Sequence, residues 1–160
     1  MTEKPRMLYL LMVISLMIIL PSASVIAQIL VSRSTANFAA IVGTWFLFWA
    51  LGIRFFTAGL NQVIRPAFTS ESIFRIKNPE SNIIVRELGF ANISTGTLCI
   101  LSLFIASWRI PAAFVGAVFL GLAGAQHAIK KAATANEKAA LVTDLLVFLI
   151  MAIYLLNSIF

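Results

Sequence analysis

Apolar residues in this chain come in long blocks, and the polar residues fall mainly between them. Five blocks stand out, at about 8–31, 38–63, 84–106, 111–129 and 139–159. A helix needs about 20 mostly apolar residues to cross a hydrocarbon layer of roughly 30 Å. The blocks do not alternate as barrel strands would, and only a helix satisfies its own backbone where no water can. The pattern predicts an all-α membrane protein with five transmembrane helices: an N-terminal helix plus a four-helix bundle, in one transmembrane domain over residues 1–160.

The first block has two readings. Lys4 and Arg6, the apolar run to Leu20 and then Pro21-Ser22-Ala23-Ser24 have the layout of a secretory signal. The apolar run continues past that point through Val31, so the sequence is read as a retained helix kinked at Pro21. Three connections are short, as in a bundle of antiparallel neighbours. Trp108 suits an interfacial belt, and Pro111 suits the first turn of the fourth helix. The long connection, about 65–83, is broken open by Pro66-Ala67-Phe68. Thr69 or Ser70 is placed to cap a short helix carrying Ile73, Phe74 and Ile76 beside Arg75 and Lys77. Such a segment would lie on the membrane surface with its basic groups among anionic headgroups, or form a lid over the bundle end. Asn78-Pro79-Glu80 reads as the start of the third helix.

The fourth block repeats small residues every four positions: Ala113, Ala117, Gly121 and Ala125. Small residues allow close helix approach in lipid. This helix is therefore expected to be central, packed on another helix of the chain or on a second subunit.

Composition sharpens the class. Hydrophobic residues make up 61% and charged residues 11% of 160 residues, with mean hydropathy +0.98. Soluble domains carry about 25% charged residues, and so few charges cannot cover a small globule. The single cysteine, Cys99, excludes a disulfide scaffold. A net charge of +6 would ordinarily suggest nucleic acid. Its distribution points elsewhere. Lys4, Arg6, Arg65, Arg75, Lys77, Arg86, Lys130, Lys131 and Lys138 share one side of the predicted membrane, and only Arg33 and Arg109 lie on the other. By the positive-inside rule the N-terminus is cytoplasmic and the C-terminus outside, with no nucleic-acid partner expected.

Several polar groups fall inside the spans, where they are costly and mark functional candidates. Arg54, Asn61, Glu87, Asn92, Gln126, His127 and Asp144 all map to the cytoplasmic half, with Gln62 and Thr95 nearby. The outer halves read as almost purely apolar. Two interpretations stand. One is a cytoplasm-facing pocket in which Arg54 meets an anionic group and Glu87 or Asp144 takes a proton. The other is a structural clamp, one Arg and one His against two carboxylates. His127 is the only histidine, so no metal site or cofactor is expected, and no catalytic motif is present. Cys99, among Leu98, Ile100 and Leu101, reads as a small buried hydrophobe. Trp45 and Trp49 sit near the outer end of their span and suit packing or an aromatic belt, and Tyr9 and Tyr154, near opposite membrane faces, suit an interfacial belt.

Trp45 to Arg54, Pro66 to Thr69, Arg86-Glu87-Leu88-Gly89-Phe90-Ala91-Asn92, Gly121 to His127 and Asp144-Leu145 together carry a resemblance. The chain resembles, over about residues 40–155, a family of small bacterial integral-membrane proteins known only as a domain of unknown function. More remotely, its helical organisation is similar to DoxX-like membrane proteins, some linked to quinone redox systems. The resemblance implies a multi-pass protein of the bacterial cytoplasmic (inner) membrane and no activity. The leading functional expectation is a non-enzymatic bundle that binds a partner protein or small ligand at its polar cytoplasmic end. Its partners would be the lipid bilayer, a second copy or another membrane protein. A small-molecule or proton-linked transporter and a quinone-associated redox subunit are the alternatives.

Overall fold

The computed structural model describes residues 3–130 and 135–159. Lys131 lies outside the described residues, as do the side chains of Lys4, Arg6 and Tyr9. Among the described residues all regular structure is helical. Glu3–Ile14, Ser15–Ile19 and Leu20–Ser32 run on as helix α1, and Phe38–Phe46, Leu47–Ile53 and Arg54–Ile64 as α2. Helices α3 (Ser81–Leu101), α4 (Arg109–Ile129) and α5 (Ala135–Ile159) follow. Each of the five contains a stretch long and apolar enough to cross a membrane, the first being Leu10–Ser32. The end of the bundle holding the 65–80 connection is called here the basic end.

Pro21 does not break α1. Residues Ser15–Ile19 form a π-helical turn, in which the Leu20 N–H reaches back to the Ser15 carbonyl. Proline has no N–H to give and its ring crowds the carbonyl four residues earlier. A widened turn just before it accommodates both faults while the helix runs on. The third helix stops at Leu101, short of the expected Ala106. There the Ser102 and Ile105 amides turn back to the Leu98 and Leu101 carbonyls, and the Ser102 hydroxyl donates to the Cys99 carbonyl. Arg109 donates from Nε to the Ser102 carbonyl at 3.1 Å and from Nη2 to that of Leu103 at 3.2 Å, satisfying the end of α3. Pro111 falls in the first turn of α4, where an amide has no helical partner to lose.

The central helix is α2, not α4. It touches all four others, whereas α4 packs chiefly on α5. The seam between α2 and α3 is built on facing glycines. A Cβ placed on Gly59 would lie 2.6 Å from the Gly89 carbonyl oxygen, and one on Gly96 would lie 2.5 Å from the Phe56 amide nitrogen and 2.8 Å from the Gly52 carbonyl oxygen. Gly52 and Gly59 on α2, and Gly89 and Gly96 on α3, are each seven residues apart. Seven residues are two turns, so both pairs face the same antiparallel neighbour. The α4 stripe works differently from its sequence reading. Ala112, Ala113, Gly116, Ala117, Leu120 and Gly124 are buried, Gly121 is half-buried against the Phe148 ring, and Ala125 is exposed. A four-residue repeat drifts on a helix of 3.6 residues per turn, by about 120° between Ala113 and Ala125. The stripe therefore leaves the interface before its last member.

The core joins Met17 of α1, Leu47, Leu51 and Phe55 of α2, Cys99 of α3, Leu120 of α4 and Val147 and Met151 of α5. Tyr154 also belongs to it. Its ring covers Gly43 and it is 6% exposed, so it is not a belt residue.

The long connection differs from expectation too. Phe68–Ile73 forms one wide helical turn, and Thr69 and Ser70 are buried within it instead of capping a later helix. The Ser70 hydroxyl donates to Asn82 Oδ1 of α3 at 2.8 Å, which ties the turn down. Ile73, Phe74 and Ile76 remain exposed beside Arg75 and Lys77. Asn78 Oδ1 accepts from the Glu80 amide at 3.0 Å and starts the turn into α3.

Candidate functional site

Arg54 stands directly after the π-helical turn Leu47–Ile53. One extra residue in a turn rotates everything beyond it by about 100° relative to an uninterrupted α-helix. An uninterrupted helix would align Arg54 with Leu47 and Ala50, which face the core. With the wide turn, Phe55 takes the core position, 2% exposed and edge-to-face on Phe119 of α4 with centroids 5.0 Å apart. Arg54 moves to the flank, toward α5.

There it meets Asp144. Arg54 Nη2 donates to Asp144 Oδ1 at 3.1 Å, with side-chain exposures of 15% and 4%. The pair links α2 to α5 across 90 positions of sequence. Asp144 follows the start of its apolar span at Glu137 by seven residues, about 10 Å along the helix. His127, near the end of α4, is half-buried and lies within electrostatic reach of the same carboxylate. Three helices thus contribute one group each: a cation, an anion and an imidazole. Such a group can hold helices in register, and it can receive an anion at Arg54 if Asp144 is displaced.

The other candidates separate from it. Asn92, 6% exposed, donates from Nδ2 to Gln62 Oε1 at 2.8 Å, forming a second polar bridge, between α3 and α2. It lies beside the Gly59–Gly89 approach, where the backbones are close enough for two short side chains to meet. Asn61 is half-buried, one helical position away. Glu87 points away from Arg54: Ile83, Glu87, Phe90 and Ser94 form the exposed face of α3, while Val85, Gly89, Asn92 and Gly96 form its buried face. Gln126 is likewise exposed on α4, next to Ala125. The residues share a level along the helices but not a direction around them. Among the described residues no group of three His, Cys, Asp or Glu side chains converges as a metal site.

Two polar features escaped the sequence reading. Gln62 was in the right zone, but its pairing with Asn92 was not visible. At the far end of the bundle, Trp45 Nε1 donates to Gln28 Oε1 at 2.6 Å and Trp49 Nε1 to Ser24 Oγ at 3.0 Å. The signal for this ladder is the matched four-residue spacing of Ser24 and Gln28 on α1 and of Trp45 and Trp49 on α2. Antiparallel helices with equal spacing bring both pairs together at once.

The family scan matches residues 8–158, the first span included, to a Family of unknown function (DUF6790). The chain belongs to that family. Comparison with curated proteins and with solved structures found no match. The likeness to DoxX-like proteins is not supported by these comparisons.

Proposed function

We propose that this member of a family of unknown function is a non-enzymatic, multi-pass protein of the bacterial cytoplasmic membrane that binds a partner protein or small ligand at its basic end. In this reading the N-terminus and the 65–80 connection are cytoplasmic and the C-terminus is outside. The charge distribution supports it: exposed Arg65, Arg75, Lys77, Arg86, Lys130 and Lys138 lie at or near that end. The observation that carries the binding role is the Arg54–Asp144 pair. It holds the centre of the bundle to α5 just beneath the basic end, giving a rigid base for the exposed Ile73, Phe74 and Ile76 and the cations among them.

A proton carrier fits less well. Glu87, the carboxylate of α3, lies on that helix's exposed face and not toward Asp144, so the two are not placed to pass a proton between them. The test compares Arg54→Leu and Asp144→Asn with wild type. Both should lower the yield of folded protein or abolish partner recovery in mild detergent. Wild-type yield with unchanged partners for both variants would defeat the proposal. Proteoliposome proton flux that is abolished by Asp144→Asn would favour the carrier instead.

A further inference from the structure

At the end of the bundle opposite the Arg54–Asp144 pair, a cavity of about 250 Å³ opens between α1, α2 and the α3–α4 turn. Gln28, Ile41, Thr44, Trp45, Leu103 and Arg109 line it together with Ala40. It lies near the ends of two apolar spans, the level at which a spanning helix meets the membrane interface. Gln28 is four residues from the end of α1 and Thr44 six from the start of α2, within about 10 Å of the helix ends.

Its wall is rich in donors. Arg109 spends Nε and Nη2 on the carbonyls that end α3, which fixes the guanidinium plane. A guanidinium has five N–H groups, so Nη1 still has two to give. Gln28 accepts the Trp45 indole N–H on Oε1, which fixes its amide and leaves its NH₂ as a donor. The Thr44 hydroxyl is a third. Charge at this end is equally one-sided. The acidic residues Glu3, Glu71, Glu80, Glu87, Glu137 and Asp144 all belong, by chain position, to the other half of the bundle. Among the described residues Arg109 makes no ion pair. Ala40, Ile41, Leu103 and the Trp45 ring add an apolar wall to the same space.

We infer that this cavity binds the phosphate headgroup of a membrane phospholipid, with Arg109, Gln28 and Thr44 donating to the phosphate and the apolar wall taking the start of the lipid chains. A guanidinium near the helix ends that has no ion pair among the described residues is neutralised most directly by the phosphates that lie at a membrane interface. The inference does not depend on the function proposed for the basic end.

The test uses the full chain, delipidated in a neutral detergent. Mixed micelles containing dioleoylphosphatidylglycerol should raise its melting temperature, and native mass spectrometry should retain lipid on it. Dioleoylglycerol, which lacks the phosphate, should do neither. Arg109→Gln should weaken lipid retention by about tenfold, the scale of one lost charge-assisted hydrogen bond. Because Arg109 also ends α3, Ala40→Leu provides the second arm: it fills the cavity and leaves every hydrogen bond named here intact. It should reduce retention as strongly with an unchanged melting temperature in the absence of lipid. Retention at the wild-type level in a folded Ala40→Leu protein would overturn the assignment. Stabilisation by inorganic phosphate equal to that by the lipid would overturn it as well, because the site would then read a free anion.

Discussion

Adding one methyl group at Gly59 or Gly96 tests how the bundle is held together. In lipid there is no hydrophobic drive between helices, so close packing must supply the association. A Cβ on Gly59 would approach the Gly89 oxygen to 2.6 Å and the Ile93 amide nitrogen to 2.8 Å. Both obstacles are backbone, so no rotamer change relieves them. Restoring ordinary contact requires α2 and α3 to separate locally by about 0.7 Å, which forfeits part of the dispersion energy along the whole seam. Overpacking of this kind costs about 1–3 kcal/mol. Alanine also favours a helix over glycine by about 1 kcal/mol, which partly hides the clash. Gly121→Ala removes that ambiguity. It carries the same propensity gain, but its new methyl would meet only the Phe148 ring at 3.0 Å, a side chain able to shift. In reversible unfolding by sodium dodecyl sulfate in mixed micelles, followed by circular dichroism, Gly59→Ala and Gly96→Ala should each fall below Gly121→Ala by about 1–3 kcal/mol. The Gly59→Ala/Gly96→Ala double variant should cost less than the sum, because one helix displacement relieves both clashes. Equal stability of all three single variants would refute the glycine seam.

Removing one partner of the Arg54–Asp144 pair should cost more, about 3–5 kcal/mol, because a charge is left uncompensated. In the same unfolding assay, Arg54→Leu/Asp144→Leu should recover much of the loss of Arg54→Leu alone; no recovery would mean that the two groups do not act as a pair. Gln28→Leu should cost about 1 kcal/mol by leaving the Trp45 indole without an acceptor. A double-mutant cycle with Trp45→Phe isolates that bond, and a zero coupling energy would contradict it. With Cys99→Ala as background, a cysteine at Lys77 should be shielded from a membrane-impermeant maleimide in right-side-out vesicles, and one at Arg33 should be labelled. The reverse pattern would invert the proposed orientation. Solvent extraction of the purified protein should yield no quinone in stoichiometric amount; one quinone per chain would revive the redox-subunit reading.

The helical class and the number of membrane-length helices were legible because apolar block length is a local property. A run such as 139–159 can satisfy its backbone in only one way, whatever its neighbours do. The family was legible for a similar reason, since the runs that carry the resemblance are short and contiguous. The level of the polar groups along the helices was also readable, because rise per residue is constant. Their direction around the helices was not. Glu87 and Asn92 are five residues apart, yet one is exposed and the other is bonded to Gln62. Which face of α3 is buried depends on Gly89 and Gly96 seating against α2. Arg54 faces Asp144 because a wide turn, packed against α1, α3 and α4, rotates it off the core. Tyr154 is buried because Gly43, 111 positions earlier, leaves room for its ring. The sequence by itself therefore determined that five helices are long and apolar enough to cross a membrane, and how far each polar group lies from a helix end. Only the tertiary structure decided which of them meet, because helix rotation is set by contacts between segments far apart in the chain.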